Sequence, residues 1–143
     1  MSSTQAAYLA LLALVACERA FELWLSRRNA ARAFARGGIE VGRGHYGWMR
    51  ALHAALLAGC ALEVVLLGRA FDARLALPML ALVIGAQALR YWAIAALGER
   101  WNVRVIVVPG EPAVTTGPYG WLRHPNYVAV AIEGFALPLV HGA

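Results

Sequence analysis

Four long apolar stretches, residues 6–25, 48–67, 77–97 and 127–140, leave this 143-residue chain few choices of fold. The first three each hold the ~20 residues that an α-helix rising ~1.5 Å per residue needs to cross a bilayer core. Hydrophobic residues make up 61% of the chain and charged residues 15%. A soluble domain of this size holds roughly half and a quarter. The excess points to lipid as the solvent. The expected architecture is therefore all-α, a polytopic membrane helical bundle. It has about four transmembrane helices and forms one domain over residues 1–143, with an irregular cytoplasmic region before the last helix.

The distribution of charge sets the orientation. The net charge is +5, and every basic residue other than His is Arg. Residues 26–47 carry Arg27, Arg28, Arg32, Arg36 and Arg43 against one acid, Glu40, with Gly37, Gly38, Gly42 and Gly44 breaking the stretch. It reads as a cytoplasmic loop with a short interfacial helix over residues 29–36. Residues 68–76 then face outward, and residues 99–123 return to the cytoplasm. No basic run interleaved with aromatics resembles a nucleic-acid surface. Cys17 and Cys60 fall inside apolar stretches, where each packs as a small apolar side chain rather than forming a disulfide. The N-terminus lacks a basic region, so a cleaved signal peptide is not expected.

This placement gathers polar side chains. Glu18, Arg19 and Glu22 lie in the cytoplasmic half of the first stretch, and His53 in that of the second. Gln87 and Arg90 lie in the third, Glu133 in the fourth, and only Glu63 on the outer side. An ionisable group at a helix centre costs ~2.5–3.5 kcal/mol even on a lenient insertion scale, so these groups must face one another or a cavity. Structural pairing is the better reading for Glu18, Arg19 and Glu22, with Arg19–Glu22 or Arg90–Glu18 as examples. Arg90 and Glu133 are open to either a structural or a functional role. His53 reads as a residue that hydrogen-bonds within the bundle. No spacing fits a metal site, and no nucleophile–base pair is legible.

The densest chemistry lies in residues 115–127, Thr-Thr-Gly-Pro-Tyr-Gly-Trp-Leu-Arg-His-Pro-Asn-Tyr. Gly117, Pro118 and Gly120 specify a compact turn. The pre-proline rule moves His124 out of the helical region, and Pro125 then suits the first helical turn. Asn126 and Tyr127 share that turn, where free N–H groups and a partial positive charge favour an anionic or electron-rich ligand. Upstream, the β-branched residues 103–108 suit a short extended piece.

Val114-Thr115-Thr116-Gly117-Pro118-Tyr119 with Arg123-His124-Pro125-Asn126-Tyr127 resembles the signature of the isoprenylcysteine carboxyl methyltransferase family and its phospholipid methyltransferase relatives. Leu97-Gly98-Glu99-Arg100-Trp101 is also similar to a family feature at the end of the third helix. The resemblance covers residues 90–135. It implies an integral membrane methyltransferase using S-adenosylmethionine near the cytoplasmic surface, the side on which the arginine distribution also puts the motif; the arginine-only, alanine-rich composition points to a bacterial inner membrane. It implies cofactor contacts from Tyr119, His124, Pro125, Asn126 and Tyr127, from the segment Glu111, Pro112, Ala113 and Val114, and from Arg104. The chain departs from the family at Glu111-Pro112-Ala113, where relatives often place a His or another polar residue. Family members also continue into a helix bearing an Arg and a Glu, so the domain is expected to be incomplete at its C-terminus. Arg90 and Glu133 are the candidate catalytic substitutes. The implied acceptor is lipophilic and offers a carboxylate or hydroxyl: a long-chain pyrone or phenolic lipid first, prenylcysteine next, a phospholipid amine third. The competing class is a non-catalytic membrane binding or assembly protein that keeps the fold.

Overall fold

A computed structural model describes residues 1–143. It contains four α-helices: α1 Ser3–Ala35, α2 Arg43–Leu66, α3 Ala73–Leu97 and α4 Pro125–Leu139. Two short strands, β1 Ile39–Val41 and β2 Val105–Val107, pair antiparallel with Glu40 opposite Ile106. Single turns of 3-10 helix cover Gly98–Arg100 and Gly117–Gly120.

The first helix is longer than the expected 6–25. Ser2 and Gln5 form a reciprocal capping box at its start. At its other end it runs through the arginine-rich residues read as a loop. Ser26, Asn29, Ala30 and Ala33 are buried there. Ser26 Oγ donates to Asn102 Oδ1 at 2.6 Å, and the Asn29 amide donates to the Trp101 carbonyl at 2.7 Å. Partners on the segment after α3 thus satisfy the polar face and hold the helix beyond Leu25. The loop expected over residues 26–47 shrinks to a turn, a strand and the first turn of α2. Gly38 allows that turn: a Cβ there would sit 2.8 Å from the Ala33 carbonyl oxygen.

The apolar core sits at one end of the bundle. Tyr8, Leu12 and Val15 of α1 meet Cys60 and Val64 of α2, Val83 of α3, and Ala136, Leu137 and Val140 at the end of α4. Tyr8 donates its hydroxyl to the Leu137 carbonyl at 2.9 Å, tying the first helix to the last. Cys17 and Cys60 are both free thiols. The most extensive helix–helix contact is between α3 and α4, while α2 packs on α1 alone among the helices with substantial contact.

Two helices are long and apolar enough to cross a membrane, Arg43–Leu66 and α3 with its 3-10 extension, Ala73–Arg100. α1 has the length but carries charge within it, and α4 has 15 residues. At ~1.5 Å per residue α4 is shorter than a ~30 Å hydrocarbon core. The expectation of four crossing segments therefore holds for two by these criteria.

Candidate functional site

Away from the apolar core, the charged residues of three helices converge. Arg19 and Glu22 share one face of α1 at i,i+3, and Gln87 and Arg90 share one face of α3 at the same spacing. Glu133 of α4 lies between them. Its Oε2 accepts from Arg19 at 2.9 Å, from Arg90 at 3.0 Å and from Gln87 at 3.1 Å. Arg19 also pairs with Glu22, and Arg90 lies 3.5 Å from Glu22 Oε2. Glu22, Arg90 and Glu133 are each at most 4% exposed. Two guanidinium and two carboxylate groups balance in charge, which is the arrangement that makes burial of such groups tolerable. The expected Arg19–Glu22 pair is present. The expected Arg90–Glu18 pair is not, because Arg90 turns toward Glu22 and Glu133. Some capacity is left over: Glu22 Oε1, Arg19 Nε and Arg90 Nε are buried with no protein partner.

This network forms part of the wall of a cavity of about 700 Å³. α1 contributes Arg19 and Glu22, and α3 contributes Arg90. The N-terminal half of α2 contributes Tyr46, Met49, Arg50 and His53, a stripe with helical spacing. Arg104 and Glu40 line the side formed by the strands, and Tyr119, Asn126, Tyr127 and Val130 close the cavity on the motif side. Glu133 does not reach the cavity; it holds the two arginines that do. His53 Nδ1 hydrogen-bonds the Met49 carbonyl at 2.8 Å, in keeping with its expected role within the bundle.

The motif folds as its residues dictate. Gly117 has φ +57°, and an added Cβ would lie 3.0 Å from Ala96 Cβ and 3.1 Å from Trp92 Nε1. A left-handed turn pressed onto α3 therefore admits glycine alone. His124 lies outside the helical region at φ −134° and ψ 68°, as expected before a proline, and the buried Pro125 begins α4. Asn126 presents Oδ1 buried and without a partner. Burial raises the Tyr119 phenol above its ordinary value, so its hydroxyl is a neutral donor at physiological pH.

The expected site residues divide into groups. Arg104, Tyr119, Asn126 and Tyr127 line the large cavity. Glu111, Val114 and Tyr119 line a second cavity of about 270 Å³, so Tyr119 borders both. Glu111 is engaged by Arg36 at 3.1 Å and Arg100 at 3.4 Å. Pro112 and Ala113 are exposed and line neither cavity. His124 is exposed and packs its ring on Tyr127, with centroids 5.0 Å apart. Of the two candidate catalytic residues, Arg90 reaches the cavity and Glu133 stands behind it.

Arg104 is not a free cation. Glu40 of β1 engages its guanidinium through Oε1 at 2.9 Å and again through Oε2, and Phe34 packs beneath it. The hydrogen bond from Arg104 holds the Glu40 carboxyl below its ordinary range. A carboxyl lowered in the folded state stabilises the fold above the unfolded value, and that contribution fades as pH falls through the folded value. Glu40→Gln is therefore expected to lower the melting temperature at pH 7. The difference from the parent should shrink once the pH drops below roughly 4, near the unfolded carboxyl. A melting difference that stays constant from pH 7 to pH 3 contradicts the pairing.

Several wall residues escaped the sequence reading. His45, Tyr46 and Arg50 fall where α2 was expected to be a loop or its first turn, and Asn102 sits in irregular chain. The available signal was periodicity: Tyr46, Arg50 and His53 repeat at four and three residues.

Residues 79–143, which hold the motif and three members of the network, Gln87, Arg90 and Glu133, match the isoprenylcysteine carboxyl methyltransferase family. An uncharacterised Bacillus subtilis protein, YpbQ, is 35% identical over 133 residues, spanning 93% of this chain and 79% of that one. An uncharacterised Haemophilus influenzae protein is 26% identical over 109 residues, 76% of this chain and 63% of its own length. No solved structure matches. A motif that builds one wall of a cavity, a family match over that motif and a relative aligned along nearly the whole chain agree: the chain belongs to the isoprenylcysteine carboxyl methyltransferase family.

Proposed function

We propose that this protein is an integral membrane methyltransferase that uses S-adenosylmethionine to methylate a lipophilic acceptor at a carboxylate or hydroxyl oxygen. The observation that carries this reading is the large cavity: motif residues Tyr119, Asn126 and Tyr127 line one side, and the charged network lines another. Its volume of about 700 Å³ falls within the ~300–1,000 Å³ of ordinary ligand pockets.

The residues present fit the cofactor. Asn126 Oδ1, a buried acceptor without a partner, suits an N–H donor such as an adenine amino or an α-ammonium group. Tyr119 and Tyr127 offer aromatic surface for a purine. At the start of α4 Pro125 has no N–H and the Tyr127 and Val128 N–H groups bond the His124 carbonyl, which leaves the Asn126 backbone N–H for a carboxylate at the positive end of the helix. S-adenosylmethionine, when bound, supplies a methyl group on a sulfonium. The protein's part is to align the acceptor oxygen with that carbon and to keep water out, which is worth most in a partly dry pocket. Arg19 and Arg90 provide positive charge for the acceptor oxygen, with Glu133 fixing both guanidinium groups. Arg104 contributes to the cofactor side of the wall once its pairing with Glu40 is exchanged for a ligand carboxylate.

All four helices lie in a bacterial inner membrane, with the cavity toward the cytoplasm. Charges in α1 and α4 are tolerated because they meet each other inside the bundle rather than lipid. The preferred acceptor is a long-chain pyrone or phenolic lipid, with prenylcysteine next.

Titration calorimetry of the purified protein with S-adenosylmethionine tests this. Binding is expected, weakened about tenfold or more by Asn126→Ala and by Tyr119→Ala, from loss of a hydrogen bond or an aromatic contact. His124→Ala, outside the cavity wall, is expected to cost about threefold or less, through the support it gives Tyr127. No detectable binding by the parent protein would favour a membrane binding or assembly role instead.

A further inference from the structure

The charged network is more than a counterweight for two arginines, because one of its carboxylates is half free. Glu22 Oε2 is engaged by Arg19 and Arg90. Its Oε1 has no partner, the residue is only 3% exposed, and it lines the cavity together with both arginines. Glu133 differs: its Oε1 and Oε2 both accept, and it stands behind the wall. A buried acceptor without a partner, on a residue that lines the cavity, asks for a donor. Beside it, the Nε–H groups of Arg19 and Arg90 are donors left without acceptors. The complementary ligand group is one that donates once and accepts once or twice. A hydroxyl does this. An ionised carboxylate brings no donor and meets the Glu22 charge.

Resting on the methyltransferase reading above, we infer that Glu22 is the proton acceptor of the reaction and that this cavity methylates un-ionised hydroxyl groups. The acceptor O–H donates to Glu22 Oε1 while Arg19 and Arg90 hold its oxygen. As the oxygen–methyl bond forms, the methyl–sulfur bond breaks and the sulfur keeps that electron pair. The hydroxyl proton passes to Glu22 Oε1 and later to water. An oxygen gaining an alkyl group becomes far more acidic during the step, so a carboxylate suffices as its base. Glu133 is a positioning residue, acting through the arginines.

The experiment uses the full chain in detergent with S-adenosylmethionine and two long-chain probes of equal length. One is an alkylphenol, un-ionised at pH 7; the other is an alkyl-nitrophenol that is largely ionised there. Glu22→Gln is expected to slow transfer to the alkylphenol about 10²–10³-fold, within the usual range for removing a general base. Transfer to the ionised probe should not fall, since that oxygen has no proton to give and the substitution removes the negative charge that faces it. Without cofactor, the parent should bind the alkylphenol about tenfold more tightly than its methyl ether, and Glu22→Gln should shrink that preference. Should the glutamine variant fail to fold, Glu22→Asp is expected to show the same selective loss in smaller degree. Equal losses on both probes, or no loss on either, would overturn the assignment while leaving the methyltransferase intact. A parent protein that transfers to neither probe and binds no S-adenosylmethionine would overturn the reading beneath it.

Discussion

Glu133→Ala is expected to lower the stability of the detergent-solubilised protein by roughly 3–5 kcal/mol, the usual cost of removing one partner from a buried ion pair. Glu133 Oε2 is the point on which Arg19, Arg90 and Gln87 converge. Without it, two guanidinium groups share Glu22 alone in a buried setting. Thermal unfolding followed by circular dichroism would measure the loss. The physical cause makes a second demand. Arg90→Met combined with Glu133→Leu should be less destabilising than the two single changes added together, because neither charge is then left alone. Strict additivity, or a single-mutant loss below about 1 kcal/mol, would mean that the network carries little of the fold.

Gly117→Ala is expected to cost roughly 2–5 kcal/mol, combining left-handed strain with overpacking. The backbone sits at φ +57°, and the new Cβ would press on Ala96 and Trp92 of α3. The effect should extend to function, since Tyr119 follows two residues later and borders both cavities. Gly120→Ala is the control. Its φ is not in the left-handed region, and the nearest atom to an added Cβ is the Thr115 carbonyl oxygen at 3.1 Å. It should cost about half as much or less, since only the packing part remains. Melting temperatures and S-adenosylmethionine affinity measured on both variants would check the pair; equal effects would contradict the strain argument.

Much of this architecture is legible in the residues. The motif was, because proline and glycine act locally: Pro125 restricts His124 and starts α4 whatever surrounds it. The meeting of charges in lipid was too, since solvation leaves them no alternative. Asp72 caps α3, accepting from the Arg74 backbone at 2.9 Å, an equally local signal that the sequence reading passed over. What failed to show was whatever depends on partners distant in sequence. α1 continues past Leu25 because Ser26 and Asn29 bond to residues near 100. Glu22, Ser26, Asn29 and Ala33 do repeat at four, three and four residues, a helical stripe hidden by the arginines between them. β1 has three residues and exists only because β2 pairs with it. Glu22 looked like a partner for Arg19 and nothing more, since the unpartnered oxygen of its carboxylate is a property of the assembled network.

All of this turns on the large cavity as the place where the methyl donor binds. Ultraviolet crosslinking of methyl-labelled S-adenosylmethionine in native membranes, followed by peptide mapping, measures that most directly. Label should be carried by peptides containing residues 101–105 and 119–127, and excess S-adenosylhomocysteine should remove it. Label that falls only on peptides outside the cavity wall, or that no competitor displaces, would contradict it.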